Sequence, residues 1–143
     1  MPSNLNDPYN LERFVAAQNE VYDTVCAELR AGEKRSHWMW FIFPQLKGLG
    51  SSSMAARYAI SGLPEAEAYL QHEILGARLG ECSELVLQVE GRTIEQIFGY
   101  PDYLKFRSSI TLFARAATDN RVFNHCLEKY FAGEPDSATL RLL

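Results

Sequence analysis

Apolar residues recur at three- and four-residue spacings along almost the whole chain, and no stretch alternates apolar and polar residues long enough for a half-buried strand. That periodicity restricts the fold to packed helices. The clearest stripe runs from Leu11 through Phe14, Val15, Val21, Tyr22, Val25 and Leu29, with Asn10 as its N-cap and Gly32 as its stop. Glu12, Arg13, Glu20, Asp23 and Glu28 fall on the other side and read as solvent-facing. The run Ser36-His37-Trp38-Met39-Trp40-Phe41-Ile42-Phe43-Pro44-Gln45 reads as a short buried helix capped by Ser36 and stopped by Pro44, because proline disfavours helical backbone in the residue before it. A buried strand is the competing reading of that run, and it lacks a second strand to pair with.

Further helices follow in order. One starts near Ser51 or Ser52 and contains Met54, Ala55, Tyr58 and Ala59. Another opens at Leu63-Pro64-Glu65, breaks near His72 and restarts through Leu75, Leu79, Cys82, Leu85, Val86 and Val89. Thr93 caps a short turn closed by Gly99, and Asp102 opens a helix carrying Leu104, Ser108, Thr111, Leu112 and Ala116. One more runs from Arg121 to Gly133, and Asp136 or Ser137 caps a last turn from Ala138 to Leu142. With no repeat and no linker, the expectation is an all-α, compact, multihelical single domain over residues 1–143.

At 47% apolar and 12% aromatic residues, the chain can bury a substantial core and does not have the composition of a disordered protein. Its 18 acids against 14 bases disfavour a broad nucleic-acid surface, which ranks that function last. Cys26, Cys82 and Cys126 are far apart and odd in number, which is no disulfide framework and points to a reducing cytoplasm. Residues Met1 to Pro8 lack the basic and apolar regions of a signal peptide. The longest apolar run, Trp38 to Pro44, falls far short of the ~20 residues that span a bilayer, so no membrane partner is expected.

Against this acidic background, residues 34 to 64 hold Lys34, Arg35, Lys47 and Arg57 and no Asp or Glu. The same window contains the aromatic run and then Gly48-Leu49-Gly50-Ser51-Ser52-Ser53 at a helix start. Glycines let backbone approach a phosphate, serine hydroxyls add donors, and Arg57 one turn later adds charge. A plain turn and N-cap is the alternative. A helix this short cannot bury Trp38, Trp40, Phe41 and Phe43 on one face, which leaves a ring or two to line a pocket. Part of the window's charge is expected to be neutralised by the stretch Glu65 to Glu95, where seven acids accompany only Arg78 and Arg92.

Other chemistry-bearing residues are sparser. His37 and His72 are the two acid–base candidates, and His72 serves equally well as a helix cap. Arg78 either receives an anion or pairs with Glu81 or Glu84. Lys105, Ser108 and Thr111 share one helical side by their spacing, within a segment where Lys105, Arg107 and Arg115 outnumber Asp102. The histidines and cysteines show no metal-ligand spacing, so no metal or cofactor is expected. No serine or cysteine sits in a recognisable nucleophile elbow.

Several segments together resemble one family over nearly the whole chain. They are Asp7-Pro8-Tyr9-Asn10-Leu11-Glu12-Arg13-Phe14-Val15 with Ala17-Gln18, the run Ser36 to Gln45, Gly48-Leu49-Gly50, Ala56-Arg57-Tyr58-Ala59-Ile60 and Leu75-Gly76-Ala77-Arg78-Leu79. Ile97-Phe98-Gly99, Lys105, Ser108, Thr111-Leu112-Phe113 and Thr139-Leu140 complete the set. The chain resembles a domain-of-unknown-function family of short bacterial proteins often labelled calpastatin. That label implies a calpain inhibitor, but such inhibitors are extended, disordered and repetitive, unlike this sequence. What the resemblance implies is a small helical cytoplasmic protein, with no activity to carry over. The polar residues inside its motifs are His37, Gln45, Arg57, Tyr58, Arg78, Lys105, Ser108 and Thr111.

Two functions fit these features. The first is a site for a small anionic, phosphate-bearing ligand such as a nucleotide, with Gly48, Gly50, Ser51 and Ser52 on phosphate. Arg57, Arg78 or Lys105 would supply charge, Trp38 or Trp40 stacking, and Gln45, Tyr58 and Ser108 polar contacts. Any reaction there would be hydrolysis or group transfer, with His37 or His72 as acid–base. The second is an interaction module that docks a protein partner through residues 36–58.

Overall fold

A computed structural model describes residues 6–143 and is all-α. Among the described residues there are ten helices: α1 (Glu12–Asn19), α2 (Tyr22–Ala31), α3 (Met39–Ile42), α4 (Ser53–Arg57), α5 (Leu63–Gln71), α6 (Glu73–Gln88), α7 (Ile94–Phe98), α8 (Asp102–Ala116), α9 (Arg121–Phe131) and α10 (Ser137–Leu142). None of them is long and apolar enough to cross a membrane. The signal-peptide expectation concerns the extreme N-terminus, of which residues 1–5 lie outside the described residues.

The organising element is α8. Phe106 and every residue from Ser108 to Ala114 are buried, the pattern of a helix covered on all sides. It packs against α3, α5, α7, α9 and α10, and α6 closes the other side of the bundle against α2, α5 and α9. The aromatic run feeds this core. Phe43 meets Phe106 edge-on, with centroids 4.9 Å apart, and Phe98 stacks on Phe106 at 4.9 Å.

Local signals place most helix ends. Thr93 and Gln96 form a reciprocal capping box at α7, Asp136 Oδ2 accepts the Thr139 N–H at α10, and Gly32 closes α2 with φ +74°. Three details differ from the sequence reading. The first stripe is two helices, broken at Glu20 and Val21, and the Leu11 and Glu12 N–H groups are received by the Asp7 carboxylate rather than by Asn10, whose φ is +53°. Ser36 does not cap α3. Its hydroxyl donates to Glu28, and α3 starts from Trp38 with no side-chain cap. Two residues assigned to solvent, Arg13 and Glu28, instead make the connections that hold separate segments together.

Candidate functional site

The segment from Gln45 to Ile60 leaves and rejoins the body at one point. The Lys47 N–H donates to the Ile60 carbonyl at 2.8 Å and the Ile60 N–H to the Gln45 carbonyl at 2.9 Å, an isolated parallel bridge between Leu46 and Ile60. Inside this closed loop Gly48 takes φ +102°, a left-handed conformation that side chains disfavour. At Gly50 a Cβ would lie 2.6 Å from the Ala55 Cβ, so glycine permits the loop to fold onto α4. Ser52 Oγ then accepts the Ala55 N–H at 3.1 Å and caps α4.

Arg13 anchors the far end of the loop. Its Nε donates to the Arg57 carbonyl at 2.8 Å, and its Nη2 donates to the Ala59 carbonyl at 2.9 Å and to Glu65 Oε2 at 3.0 Å. Glu65 is only 3% exposed, and its Oε1 accepts from the Ser61 N–H and hydroxyl. Paired and fully hydrogen-bonded, this carboxylate is tolerable in the interior and fixes α1, the loop and α5 relative to one another.

Beneath the loop lies a cavity of 290 Å³. Met39, Trp40 and Phe43 form one wall, Leu46, Ala55, Ala56, Tyr58 and Ala59 another, and Gln45, Lys47 and Lys105 supply its polar groups. No acidic side chain lines it. A second cavity of 410 Å³ adjoins it, sharing Gln45, Gly50, Ala55 and Lys105. It continues past Ser51 and Ser52 of the loop, Leu104 and Ser108 of α8, and Asp136 at the start of α10.

Lys105 stands where the two cavities meet. Its ammonium lies 5.5 Å from the centroid of the half-buried Trp40 ring and 3.6 Å from Asp102 Oδ1. Asp102 is shared, because its Oδ2 also holds Lys34 at 2.8 Å, and the Lys34 side chain is 8% exposed. One carboxylate thus serves two ammonium groups, and Lys47 on the cavity wall has no ion pair among the described residues. The first cavity is thus lined by two lysines and by no acid, one of the lysines already sharing Asp102. The window's other charges are not neutralised by the stretch 65 to 95 as expected: Lys34 pairs with Asp102 and Arg35 with Glu33.

The structure brings Trp40, Gln45, Gly48, Gly50, Ser51, Ser52, Tyr58, Lys105 and Ser108 to one or both cavities. It does not bring the others. His37 is exposed and lines neither. Trp38 is fully buried, its indole N–H donating to Glu28 Oε1 at 2.9 Å. His72 Nδ1 accepts the Ile74 and Leu75 N–H groups at 3.1 and 3.3 Å, so it caps α6. Arg57 is exposed beyond the crevice. Arg78 donates to Gln18 Oε1 and Asn19 Oδ1 and lies over the Tyr22 ring at 4.7 Å, which ties α6 to the α1–α2 break. Thr111 accepts the Asp136 N–H at 2.8 Å and so docks the start of α10, while the Ser108 hydroxyl shares its proton between the Leu104 carbonyl at 3.1 Å and Asp136 Oδ2 at 3.2 Å.

Lys47 and Asp136 also line the cavities, and neither was among the candidates read from the sequence. Lys47 had a visible signal, its place in the acid-free window beside Gly48. Asp136 had none beyond its capping role, since nothing local joins residue 136 to residues 45–52. The phosphate cradle expected at the start of α4 also shrinks, because a helix of five residues carries little dipole. Burial pushes the Cys82 and Cys126 thiols up to about 12, which leaves both as neutral core groups. Among the described residues no cluster of three or more His, Cys, Asp or Glu is placed to hold a metal.

What this geometry defines is an all-α protein with a two-part crevice between a pinned loop and the central helix. The chain belongs to the family described as protein of unknown function (DUF1810), whose model matches residues 8–143. It is also similar to the conserved hypothetical protein Rv1873 from Mycobacterium tuberculosis, known from a crystal structure at 1.38 Å. The two chains share 61% identity with a TM-score of 0.95, over 96% of this chain and 98% of that one. No curated protein matches the chain.

Proposed function

We propose that the crevice beneath the 45–60 loop binds a small phosphate-bearing anion of the nucleotide class. The observation that carries this reading is the composition of the 290 Å³ cavity: Lys47 and Lys105, aromatic walls from Trp40, Phe43 and Tyr58, and no acid. An anion held there by ammonium groups is partly removed from water, where charge-assisted hydrogen bonds are worth about 1.5–3 kcal/mol each. A planar group has apolar walls to rest against. His37 and His72, the expected acid–base residues, both lie away from the crevice, so the proposal is one of binding.

The docking alternative has less support. Trp38 is fully buried and Trp40 is half-buried next to Lys105, so residues 36–58 offer no broad aromatic face.

A thermal-shift screen of inorganic phosphate, nucleoside monophosphates, sugar phosphates and small carboxylates tests the proposal, since a ligand of the folded state raises its stability with concentration over Kd. Phosphate-bearing compounds are expected to raise Tm, and Lys105→Met to weaken them at least about tenfold. No shift for any of these anions at millimolar concentration would overturn the reading.

A further inference from the structure

We infer that Asp136 reads sugar hydroxyls in this crevice, so that the ligand is the phosphate ester of a hydroxylated sugar, free or as part of a nucleotide. The inference rests on the anion-site reading above and adds what the second cavity contributes.

Asp136 is held more firmly than an N-cap needs. Thr139 donates twice to its Oδ2, through its N–H at 3.0 Å and its hydroxyl at 2.6 Å, and the Ser108 hydroxyl, whose one proton is shared with the Leu104 carbonyl at 3.1 Å, lies 3.2 Å from the same oxygen. Its own N–H donates to Thr111 Oγ1 at 2.8 Å. Among the described residues no donor reaches Oδ1. Asp136 lines the 410 Å³ cavity together with Ser51, Ser52, Ser108 and Lys105. One oxygen of a fixed carboxylate is therefore an unclaimed acceptor beside an otherwise cation-bearing crevice.

That arrangement sorts ligand groups by position. A carboxylate repels phosphate and accepts strongly from hydroxyls. Phosphate is thus directed to the lysines, and neutral donors to the end that holds Asp136. Serine hydroxyls along the same cavity add contacts suited to a polyol. A bare anion would leave Asp136 Oδ1 and these hydroxyls without a ligand partner, whereas a sugar phosphate satisfies both ends.

Calorimetric titration decides the matter with ribonucleoside 5′-monophosphates, their 2′,3′-dideoxy counterparts, ribose 5-phosphate and inorganic phosphate. Wild type should bind the ribonucleotides at least about tenfold more tightly than the dideoxy forms, the effect of one good hydrogen bond to a charged group. Asp136→Asn should bring the two within about twofold, since asparagine keeps a carbonyl oxygen for Thr139 and Ser108 but places an amide N–H₂ where Oδ1 stood. Asp136→Ser, which also keeps a capping oxygen, provides a second test, and the wild-type comparison stands without either variant. Ribose 5-phosphate bound with the same Asp136 dependence would identify the free sugar phosphate as a sufficient source, and ribonucleotides bound alone would identify the nucleotide. Equal binding of ribo and dideoxy forms, or binding of inorganic phosphate alone, would overturn the role of Asp136 while leaving the anion site standing. Binding of none of these compounds would overturn both.

Discussion

Glu28 receives four donors at once: the Ser36 hydroxyl, the Arg35 and Ser36 N–H groups at 2.9 and 3.1 Å, and the Trp38 indole N–H at 2.9 Å. Desolvation opposes its ionisation, but these hydrogen bonds, led by that from Ser36, hold its pKa down to about 2, below the ordinary 4.5. A depressed carboxylate pKa contributes stability that is complete above the unfolded value and is lost as pH falls through the folded one. Glu28→Gln should therefore cost about 2 kcal/mol near neutral pH by urea denaturation. Its deficit relative to wild type should shrink between about pH 4.5 and 2, and a deficit that stays constant over that window would contradict the assignment. In the sequence Glu28 looks like any surface acid on a helix, because its partners, two backbone N–H groups and the Ser36 and Trp38 side chains, lie seven to ten residues ahead, beyond the helix that carries it. Gln18 is similar. It reads as a gap in the apolar stripe, yet it is 1% exposed and its side-chain amide donates to the Phe41 carbonyl at 2.7 Å and to the Tyr69 hydroxyl at 3.0 Å.

Helix ends were legible where one residue type settles the geometry, as at Pro64, Thr93, Gly99 and Asp136. The break between α1 and α2 was not, because Glu20 and Val21 carry no glycine or proline signal, and tertiary contacts through Gln18 and Arg78 hold it. The α5–α6 elbow at His72 shows how closely elements are fitted. A Cβ on Gly76 would lie 2.1 Å from the Leu70 carbonyl oxygen, whereas one on Gly80, a turn later in the same helix, meets nothing within 4 Å. Gly76→Ala should cost about 2–3 kcal/mol by forcing the elbow open. Gly80→Ala should add about 0.5–1 kcal/mol through helix propensity alone. Similar urea midpoints for the two variants would show that the elbow is not tightly packed.

At the scale of the molecule, the all-α class followed from periodicity, but the crevice did not. Its two halves come from residues 39–59 and from Lys105, Ser108 and Asp136, and only the packing of α3, α8 and α10 places them together. The acid-free window contains the loop above the cavities, and its Gly48, Gly50, Ser51 and Ser52 line them. The partner charge on α8 appeared in the sequence only as a basic helix face. Backbone amide mapping by two-dimensional NMR, with inorganic phosphate and then a nucleoside monophosphate as probes, tests directly whether this crevice is the anion site. Chemical-shift changes are expected to concentrate at Lys47, Gly48, Gly50, Ser51, Ser52 and Lys105 and to leave His37, His72 and Arg78 unmoved. Changes centred on His72 and Arg78, or no changes at saturating probe, would contradict it.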